Sequence, residues 1–390
     1  MLGIGGYSTV NAAGVDNAGS WDAIATGRSG LEGNALPWCD LHCWVGEVAG
    51  VDDEALPEAL AAWDCRTHRL ASMALQRNHF RDAVAASVAR YGAHRVGLVL
   101  GSSTSGIRTT ELAYAYYRSK RRWPDDFAYR RSHSLDAVCR FSAQLLGLLG
   151  PMIAISTACS SSAKVFVTAK RWVDCGLIDA VVVGGVDSLC LSTLHGFHSL
   201  QLLSDERCRP FDARRNGISI GEAAGFVLLD KQAAAINFVA GGESSDAWHM
   251  STPHPEGLGA QASMDGALRA AELSPCSIGY VNAHGTATLA NDRAEAAAIN
   301  AVFGVGAVPV SSTKGVTGHT LGAAGITEAI VVIQALEQQV LPPTAGLCEQ
   351  EAGLCLDALT QARGARLHHA MSNSFGFGGS NCSLIFNRAD

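Results

Sequence analysis

Short apolar runs recur along the chain, with helix-length segments between many of them. The runs with the length and composition of buried strands are VGLVL (96–100), MIAIS (152–156), AVVVGG (180–185), GFVLL (225–229), INFVAGG (236–242), YVNAHG (280–285), VPVSST (308–313), AMSNSF (370–375) and SLIF (383–386). The segments with helical composition are DEALPEALAAW (53–63), ASMALQRNHFRDAVAASVARYG (71–92), RAEAAAINAVFG (293–304) and ITEAIVVIQALEQQ (326–339). Buried strands that alternate with helices are typical of sheets covered by helices on both faces. The pattern therefore predicts an α/β fold with substantially parallel sheets.

Two distant segments repeat the same local pattern. AISTACSSSAKVF (154–166) and VSSTKGVTGHTLGAAGITEA (310–329) each pass from a strand through a turn of small residues into an apolar helix. Each turn carries reactive side chains. This similarity indicates two related halves that direct a turn at a common centre. The divide is expected near Asp230-Lys231-Gln232, which gives an N-terminal half of 1–231 and a C-terminal half of 232–390.

Cys159 lies where the MIAIS strand turns into the helix that follows. The start of a helix offers unpaired backbone N–H groups and a partial positive charge. A thiol in that position is expected to ionise more readily than a free cysteine, and the thiolate is the reactive form. The alternative is a buried structural cysteine, which is the common role of this residue type.

The composition suits a closely packed protein of this class. Of the 390 residues, 48% are apolar, 17% are charged and 42 are glycine. The formal net charge of −7 argues against a general nucleic-acid binder, because it leaves no broad cationic surface. The first residues lack the pattern of a signal peptide, and no apolar run approaches the ~20 residues that a membrane helix needs. The sequence thus predicts a protein without a membrane span.

The 12 cysteines are scattered, and a chain of this size needs no disulfide framework. That usage predicts a reducing, cytoplasmic environment. Cys39-Asp40-Leu41-His42-Cys43 has a hint of metal-ligand spacing, but no second pair of ligands follows at a familiar distance. We therefore expect no metal site and interpret this segment as a loop with incidental ligand-type residues.

Three further segments combine glycine, small hydroxyl residues and histidine: NAHGTAT (282–288), TKGVTGHTLGAAG (313–325) and SNSFGFGGSN (372–381). A nucleophile such as Cys159 needs partners that handle protons and developing charge, and imidazole does so near neutral pH. His284 and His319 are the candidates. The glycines permit unusual backbone angles and the close approach of a substrate chain.

With these motifs, the chain resembles the type I/II β-ketoacyl-acyl-carrier-protein synthases, the elongating condensing enzymes of fatty acid and polyketide synthesis. The resemblance rests on TACSSSA (157–163), RPFDARRNGISIGEAAG (209–225), NAHGTAT, STKGVTGHTLGAAG (312–325) and SNSFGFGGSN, which keep their order across nearly the whole chain. It implies the thiolase fold, with two similar halves stacked in five layers, α-β-α-β-α. It also implies an acyltransferase that joins an acyl primer to malonyl-carrier protein by decarboxylative Claisen condensation.

The resemblance implies a role for each matching residue. Cys159 is expected to take the acyl chain, with its own backbone N–H and that of Phe377 forming the oxyanion hole. His284 and His319 are expected to bind the malonyl thioester and stabilise its enolate; either histidine is also a candidate to activate Cys159 or a water, and the sequence does not divide these roles. Lys314 and its implied acidic partner, Glu295, are expected to order the site rather than transfer protons.

The remaining implied roles concern substrate delivery. Phe377, with its glycine neighbours, is similar to a gate that opens when the acyl chain arrives. Thr286 and Thr288 match threonines that bind the phosphopantetheine arm. No cofactor is expected beyond that arm, which belongs to the carrier protein. The family usually forms dimers, so we expect a homodimer or a heterodimer with a homologous chain-length-factor subunit.

Basic residues stand out locally against the negative net charge. They are expected to form a docking surface for an acidic carrier protein, where charge steers the encounter, and the candidates are Arg66, Arg69, Arg118, Lys120, Arg121 and Arg122. The alternative is a solvated helical face.

Two stretches depart from a housekeeping fatty acid enzyme, GSSTSG (101–106) and SSDAWHMSTPHPEG (244–257). TACSSSA, GISIGEAA (217–224) and GHTLGAAGITEA (318–329) are more similar to the condensing enzymes of aryl polyene clusters, so a specialised pathway is preferred to housekeeping elongation. Four rival classes fit the residues less well. A chain-length factor typically lacks the cysteine, a degradative thiolase has a second catalytic cysteine, a type III synthase has asparagine in place of the second histidine, and nothing favours a cysteine hydrolase.

Overall fold

The computed structural model describes residues 1–389. Its helices are α1 (Asn17–Thr26), α2 (Arg66–Leu75), α3 (Phe80–Tyr91), α4 (Ile107–Lys120), α5 (Tyr129–Ser132), α6 (Ala137–Leu146), α7 (Ser161–Asp174), α8 (Leu191–Ser199), α9 (Leu258–Ala271), α10 (Leu289–Phe303), α11 (Lys314–Thr317) and α12 (Ala324–Gln338). Its strands are β1 (Leu2–Asn11), β2 (Glu32–Gly33), β3 (Trp44–Gly46), β4 (Val96–Gly101), β5 (Met152–Ile155), β6 (Ala180–Asp187), β7 (Ile220–Gly221), β8 (Ala223–Asp230), β9 (Ile236–Ser245), β10 (Tyr280–Asn282), β11 (Pro309–Ser311), β12 (Val340–Leu341), β13 (Asp357–Ala358), β14 (Arg363–Gly364), β15 (His369–Gly376) and β16 (Ser380–Arg388).

The two halves of the chain build sheets with the same strand order. The N-terminal sheet runs β5-β4-β6-β8-β1, and the C-terminal sheet runs β11-β10-β15-β16-β9 with β13 added at its edge. The start of β1 pairs with β9, which joins the two sheets into one run of 11 strands. If the five strands are numbered within each half, both orders read 3-2-4-5-1. In both halves the fifth strand is antiparallel to its two neighbours and the others are parallel. The duplication that the sequence predicted is confirmed, and the predicted divide at 231/232 lies in the connection between β8 and β9.

Helices α7 and α12 form the middle layer between the two sheets. Both helices contact strands of both halves, and residues 324–336 of α12 are all buried. A helix that is apolar on every side belongs in such a core. The two helices approach closely at Gly325, where the absence of a side chain leaves room: a Cβ there would lie 2.4 Å from the backbone nitrogen of Ala163. Helices α2, α3 and α6 cover one outer face, and α9, with α10 packed on it, covers the other, which completes the five layers of the thiolase fold.

The strands of the apolar runs form as predicted, but three local features differ. Strand β1 has no clear apolar pattern because its sequence is rich in glycine, and its place is fixed by pairing with β8 and β9 where the two sheets join. The predicted helix over 71–92 is broken between α2 and α3, where Asn78 and His79 have positive φ angles. The predicted helix over 53–63 is only a 3₁₀ helix at Glu58–Trp63, because Pro57 restricts the residues before it.

Within residues 1–389, no helix combines the length and the apolar character that crossing a bilayer requires.

Candidate active site

Cys159 occupies a tight turn between β5 and α7. Ala158, just before it, has a φ of 52°, a conformation that costs energy for a residue with a side chain. The Ser161 hydroxyl caps the turn by donating to the carbonyl of Ala158 and accepting from the N–H of Thr157 at 2.9 Å. The turn thus directs Cys159 away from the helix that follows and into the space between the two halves.

The two predicted histidines meet the cysteine at this point. His319 Nε2 lies 2.9 Å from Cys159 Sγ, and the rings of His284 and His319 are 5.3 Å apart in an edge-on arrangement. One ligand-type atom of each of the three residues lies within 4.8 Å of the others. The cysteine comes from the N-terminal half and both histidines from the C-terminal half, so the site forms only where the halves join.

Lys314 forms hydrogen bonds with both the ring and the backbone of His284. Its ammonium donates to His284 Nδ1 at 3.2 Å, to the carbonyl oxygen of the same residue, and to the carboxylate of Glu328. An ammonium is only a donor, so Nδ1 accepts, and the proton of a neutral His284 is placed on Nε2. His284 therefore presents a hydrogen-bond donor to the site.

The prediction that Glu295 is the acidic partner of Lys314 is wrong. Lys314 pairs with Glu328 of α12, and both side chains are almost fully buried. Glu295 instead accepts the backbone N–H groups of His284 at 2.8 Å and Gly285 at 2.7 Å. Glu295 thus supports the histidine turn through its backbone, while Glu328 supplies the counter-charge of the lysine.

Glu328 is the residue of the site that the sequence prediction missed. It is the only charged residue within the apolar run AGITEAIVVIQAL (324–336) of α12. A carboxylate is almost never fully buried unless it is paired. An acidic side chain in a helix predicted to be buried was therefore the available signal for a partner such as Lys314.

Burial determines the protonation of the site. It raises the pKa of Cys159 to about 11, although Lys314 and the backbone N–H of Phe377 act in the opposite direction. Burial, with the positive charge of Lys314, holds the pKa values of His284 and His319 well below their usual range. Desolvation is therefore the largest influence on the thiol, and it opposes the ready ionisation that the helix start predicts. The resting site has a neutral thiol beside neutral imidazoles.

A cavity of about 160 Å³ opens over the cysteine. Among the predicted site residues, those that line it are Cys159, His284, Thr286, Thr288, His319 and Phe377. The hydroxyls of Thr286 and Thr288 are 2.9 Å apart, and Thr288 also caps α10. The two predicted pantetheine-binding threonines thus lie together on the wall of the cavity that contains the nucleophile.

The GFGG loop, 376–379, packs directly on the cysteine turn. A Cβ at Gly376 would lie 2.8 Å from the carbonyl oxygen of Thr157 and 3.3 Å from the nitrogen of Cys159, so a side chain has no room there. The Phe377 ring packs against that of Phe197, with ring centres 5.4 Å apart and planes tilted by 42°. Gly378 and Gly379 follow with positive φ angles. The loop has the glycines that a moving segment needs, and its aromatic side chain lines the cavity.

Two of the predicted docking residues are engaged within the fold. The Arg66 side chain is 8% exposed and binds the buried Glu222 carboxylate, with Nε donating at 2.8 Å. Arg69 forms two hydrogen bonds with Asp64, at 2.6 and 2.7 Å, and donates to the carbonyl of Asp52. The docking prediction is therefore wrong for Arg66, and Arg69 has a structural partner as well.

The second basic group lies on the surface at the end of α4. Arg121 ends the helix with a φ of 58°, and Arg122 pairs with the exposed Asp125 at 3.1 Å. The exposed residues are Arg118, Lys120, Arg121 and Arg122. Their role in docking stays a prediction.

The segment with a hint of metal-ligand spacing in the sequence is the loop from Cys39 to Cys43, where no metal site is expected. Among the described residues, the grouping that could hold a metal ion by proximity is Cys159 with His284 and His319, not the loop from Cys39 to Cys43. The ammonium of Lys314 lies 3.2 Å from His284 Nδ1, which places a positive charge beside any such ion.

Family models cover most of the chain. The Beta-ketoacyl synthase N-terminal domain matches residues 3–235, and the C-terminal domain matches residues 236–348. The 3-oxoacyl-[acyl-carrier-protein] synthase 2 of Vibrio harveyi is 33% identical over 394 residues, which cover 95% of this chain and 94% of the relative. Nodulation protein E of Rhizobium meliloti is 33% identical over 405 residues, covering 99% and 98%.

A solved structure agrees with these relatives. The ketosynthase ApeO of Xenorhabdus doucetiae, determined in complex with its chain length factor ApeC, superposes with a TM-score of 0.92 and 37% identity, covering 100% of this chain and 98% of that one. The fold and the site define a condensing enzyme of the thiolase type. The chain belongs to the β-ketoacyl synthase family and is an acyltransferase of the condensing class.

Proposed function

We propose that Cys159 accepts an acyl chain from a carrier-protein thioester in the first of two stages. The observation that carries this proposal is the 2.9 Å contact between His319 Nε2 and Cys159 Sγ. As the sulfur attacks the thioester carbonyl, Nε2 takes its proton and then delivers it to the departing pantetheine sulfur. The backbone N–H groups of Cys159 and Phe377 stabilise the oxyanion between these events.

In the second stage, malonyl-carrier protein supplies the carbon nucleophile. The Nε2–H of His284, with His319 beside it, donates to the malonyl thioester oxygen. The bond to the carboxylate breaks, CO₂ leaves, and the electron pair forms an enolate. The enolate carbon attacks the acyl carbonyl on Cys159, the carbon–sulfur bond breaks, and the Cys159 sulfur takes up one proton from solvent. The product is a β-ketoacyl-carrier protein that is longer by two carbons.

The residues around the histidines keep them neutral and in place. Lys314 favours the neutral imidazoles by its charge and orients His284 by its hydrogen bond, and Glu328 and Glu295 support it as described above. The Nε2–H of neutral His284 can polarise the thioester carbonyl without a metal. The reaction in this proposal therefore needs no metal or cofactor besides the pantetheine arm. Treatment with a chelator should leave turnover unchanged; a loss restored by a divalent metal would overturn this part.

The partner protein proposed for turnover is an acidic acyl carrier protein in the cytoplasm. Thr286 and Thr288 bind its pantetheine arm, and the exposed cations at 118–122 steer its approach, with Phe377 as the gate. All twelve cysteines of the chain are unpaired, which supports a reducing compartment.

The proposed assembly is a pair of ketosynthase-fold chains. Strand β5 is an edge of the sheet, and its Met152 and Ile153 side chains are exposed. An apolar edge strand of this kind is a template for pairing with another strand. A ketosynthase 37% identical to this chain was solved with its chain length factor, which favours a heterodimer with such a subunit over a homodimer. Mass determination of the purified assembly distinguishes the two.

The proposed pathway is specialised polyketide synthesis of the aryl polyene kind. Support comes from the motif resemblance around Cys159 and His319. Housekeeping fatty acid elongation is the second candidate, favoured by the relative from Vibrio harveyi. The test offers the enzyme a panel of aliphatic and aryl-polyene acyl-carrier proteins and records by intact mass which acyl groups load on Cys159. Preferential loading of saturated chains would reject the aryl polyene proposal.

A further inference from the structure

The side chain of Asp187 lies at the end of β6 with no exposed surface. Its carboxylate accepts three of the four hydroxyls of the GSSTSG segment, from Ser102, Ser103 and Thr104, each at 2.7 Å. It also accepts the backbone N–H of Ser103 at 2.9 Å and that of Thr104 at 2.9 Å. The serine- and threonine-rich segment that departs from a housekeeping enzyme is thus the cradle of one buried carboxylate.

The same carboxylate binds the segment that carries His319. The N–H of Gly322 donates to Asp187 Oδ2 at 2.6 Å, three residues after the histidine. A Cβ at position 322 would lie 2.5 Å from that oxygen, so only glycine fits. On the other side, the N–H of His319 donates to the carbonyl of Ser219 at 2.8 Å. The turn that holds His319 is therefore fixed at both ends, at one end by Asp187.

The cradle also touches the helix that begins after the nucleophile. A Cβ at Gly101 would lie 2.4 Å from the nitrogen of Ser162, and one at Gly185 would lie 2.5 Å from its Cβ. The ends of β4 and β6 therefore pack against the first turn of α7. A shift of the 102–104 loop that Asp187 holds would therefore move both the turn of Cys159 and the turn of His319.

All the hydrogen bonds of Asp187 in the described chain come from hydroxyl and backbone N–H groups. A buried carboxylate is expensive unless its oxygens are fully hydrogen-bonded. Because hydroxyls and N–H groups bring no formal charge, they satisfy the oxygens and leave the negative charge uncancelled. The charge is thus felt by the neighbouring thiol.

We propose that Asp187 is a positioning residue for acyl transfer, which holds the 102–104 loop and Gly322 so that His319 Nε2 stays in contact with Cys159 Sγ. The inference rests on the proposed role of His319 as the proton acceptor of Cys159. It assigns a purpose to a carboxylate that touches none of the reacting atoms.

The charge of Asp187 gives the proposal a second readout. It raises the pKa of Cys159, as the smallest of three such influences after burial and Glu328. Removing the charge should let the thiol ionise at lower pH, while the looser His319 slows acyl transfer. A residue that only stabilised the fold would change neither the pH dependence nor kcat in the folded fraction.

The test is Asp187→Asn in the full chain. The amide cannot accept from all the N–H groups that surround the carboxylate, and the charge is lost. We expect kcat to fall about 10- to 100-fold, in the range of a small misplacement of reacting groups, with KM for malonyl-carrier protein nearly unchanged. Alkylation of Cys159 by iodoacetamide, followed by mass mapping of the peptide that contains Cys159, should shift to lower pH. The matched control is Asp230→Asn, a buried carboxylate at the end of β8, which should leave both readouts unchanged.

Unchanged kcat in folded Asp187→Asn, or a lower kcat without a shift of the alkylation profile, overturns the proposal. If that variant does not fold, Ser103→Ala and Thr104→Val each remove one hydroxyl bond and keep the charge. They should lower kcat without moving the alkylation profile, and normal kcat in both contradicts the inference. His319→Ala separates the two claims: if it alkylates and acylates like the wild type, the proposed role of His319 fails; if it is slow while Asp187→Asn is normal, only the Asp187 inference fails.

Discussion

His319 Nε2 lies 2.9 Å from Cys159 Sγ, although the two residues are 160 positions apart in the chain. The contact joins the turn before α7 to the turn before α12, the two helices that form the middle layer. The similar turns of the two halves therefore face each other, one with the sulfur and the other with the proton acceptor.

Cys159→Ala should abolish acyl transfer and keep the fold. The sulfur is the only group in the proposal that bonds to the acyl carbon, so turnover should fall by at least about 10³-fold. Intact mass after incubation with acyl-carrier protein measures the loading. Cys190→Ala is the matched control, because Cys190 is buried and precedes a helix, α8, without lining the cavity. A Cys159→Ala variant that still loads or condenses contradicts the mechanism.

His284→Ala and His319→Ala should affect the two stages differently. His319 touches the sulfur, so its loss should slow both loading and decarboxylation, whereas His284 should mainly affect decarboxylation, by about 10²- to 10⁴-fold. Loading is followed by intact mass and decarboxylation by release of CO₂ from malonyl-carrier protein. Equal loss of both steps in His284→Ala would count against its assigned role.

Lys314 and Glu328 should be energetically coupled. Lys314→Met or Glu328→Gln alone leaves its buried partner without a counterpart, whereas the double variant removes the mismatch. The cycle of urea unfolding free energies should therefore show a coupling of about 1–3 kcal/mol. The corresponding cycle with Glu295→Gln should give a smaller value, because Glu295 accepts backbone N–H groups. Equal couplings would show that the two carboxylates are not distinguished by the lysine.

Replacing Arg121 and Arg122 with Glu should weaken the encounter with the carrier protein. Reversed charges remove electrostatic steering, so the apparent KM for carrier protein should rise about 3- to 10-fold, with less dependence on salt. Arg81→Glu on the exposed side of α3, compared with Arg121→Glu alone, is the control for reversing a single surface charge. An unchanged KM in the double variant would show that these basic residues are only a solvated helical face, without a role in docking.

The alkylation of Cys159 should keep accelerating as the pH rises. With a thiol pKa of about 11, the reactive thiolate fraction grows about tenfold per pH unit below that value. The rate should thus increase from pH 7 through pH 9, whereas a free cysteine approaches its plateau above its pKa of about 8.5. A plateau for Cys159 below pH 8 would indicate a thiolate stabilised by its surroundings, as the helix start alone suggests.

The sequence predicted most of the fold because buried strands and helices differ in length and apolar pattern. Cys159, His284, His319 and Lys314 were found because each stands in a distinctive motif, of small residues around Cys159 and with adjacent glycines for the other three. Strand β1 was missed because packing in the middle of the sheet, and not its own propensity, determines its conformation.

The errors concern groups whose partners are distant in the chain. Glu295 and Glu328 lie on different helices, and only the packing of α12 against the site shows which carboxylate reaches Lys314. Arg66 resembles a surface cation in the sequence, but the fold places the buried Glu222 beside it. The ionisation of Cys159 likewise depends on how much water the surrounding residues remove, which a local motif does not specify.

The sharing of α7 and α12 by both sheets has a consequence for the assembly of the enzyme. Neither half can cover its inner sheet face without the helix of the other, so a chain cut between β8 and β9 should yield two fragments that are inactive alone and regain activity only as a complementing pair. The catalytic centre thus forms only where the two similar halves meet. A free, partly folded half would contain either the thiol or the imidazoles, and so would expose no reactive thiol–imidazole pair.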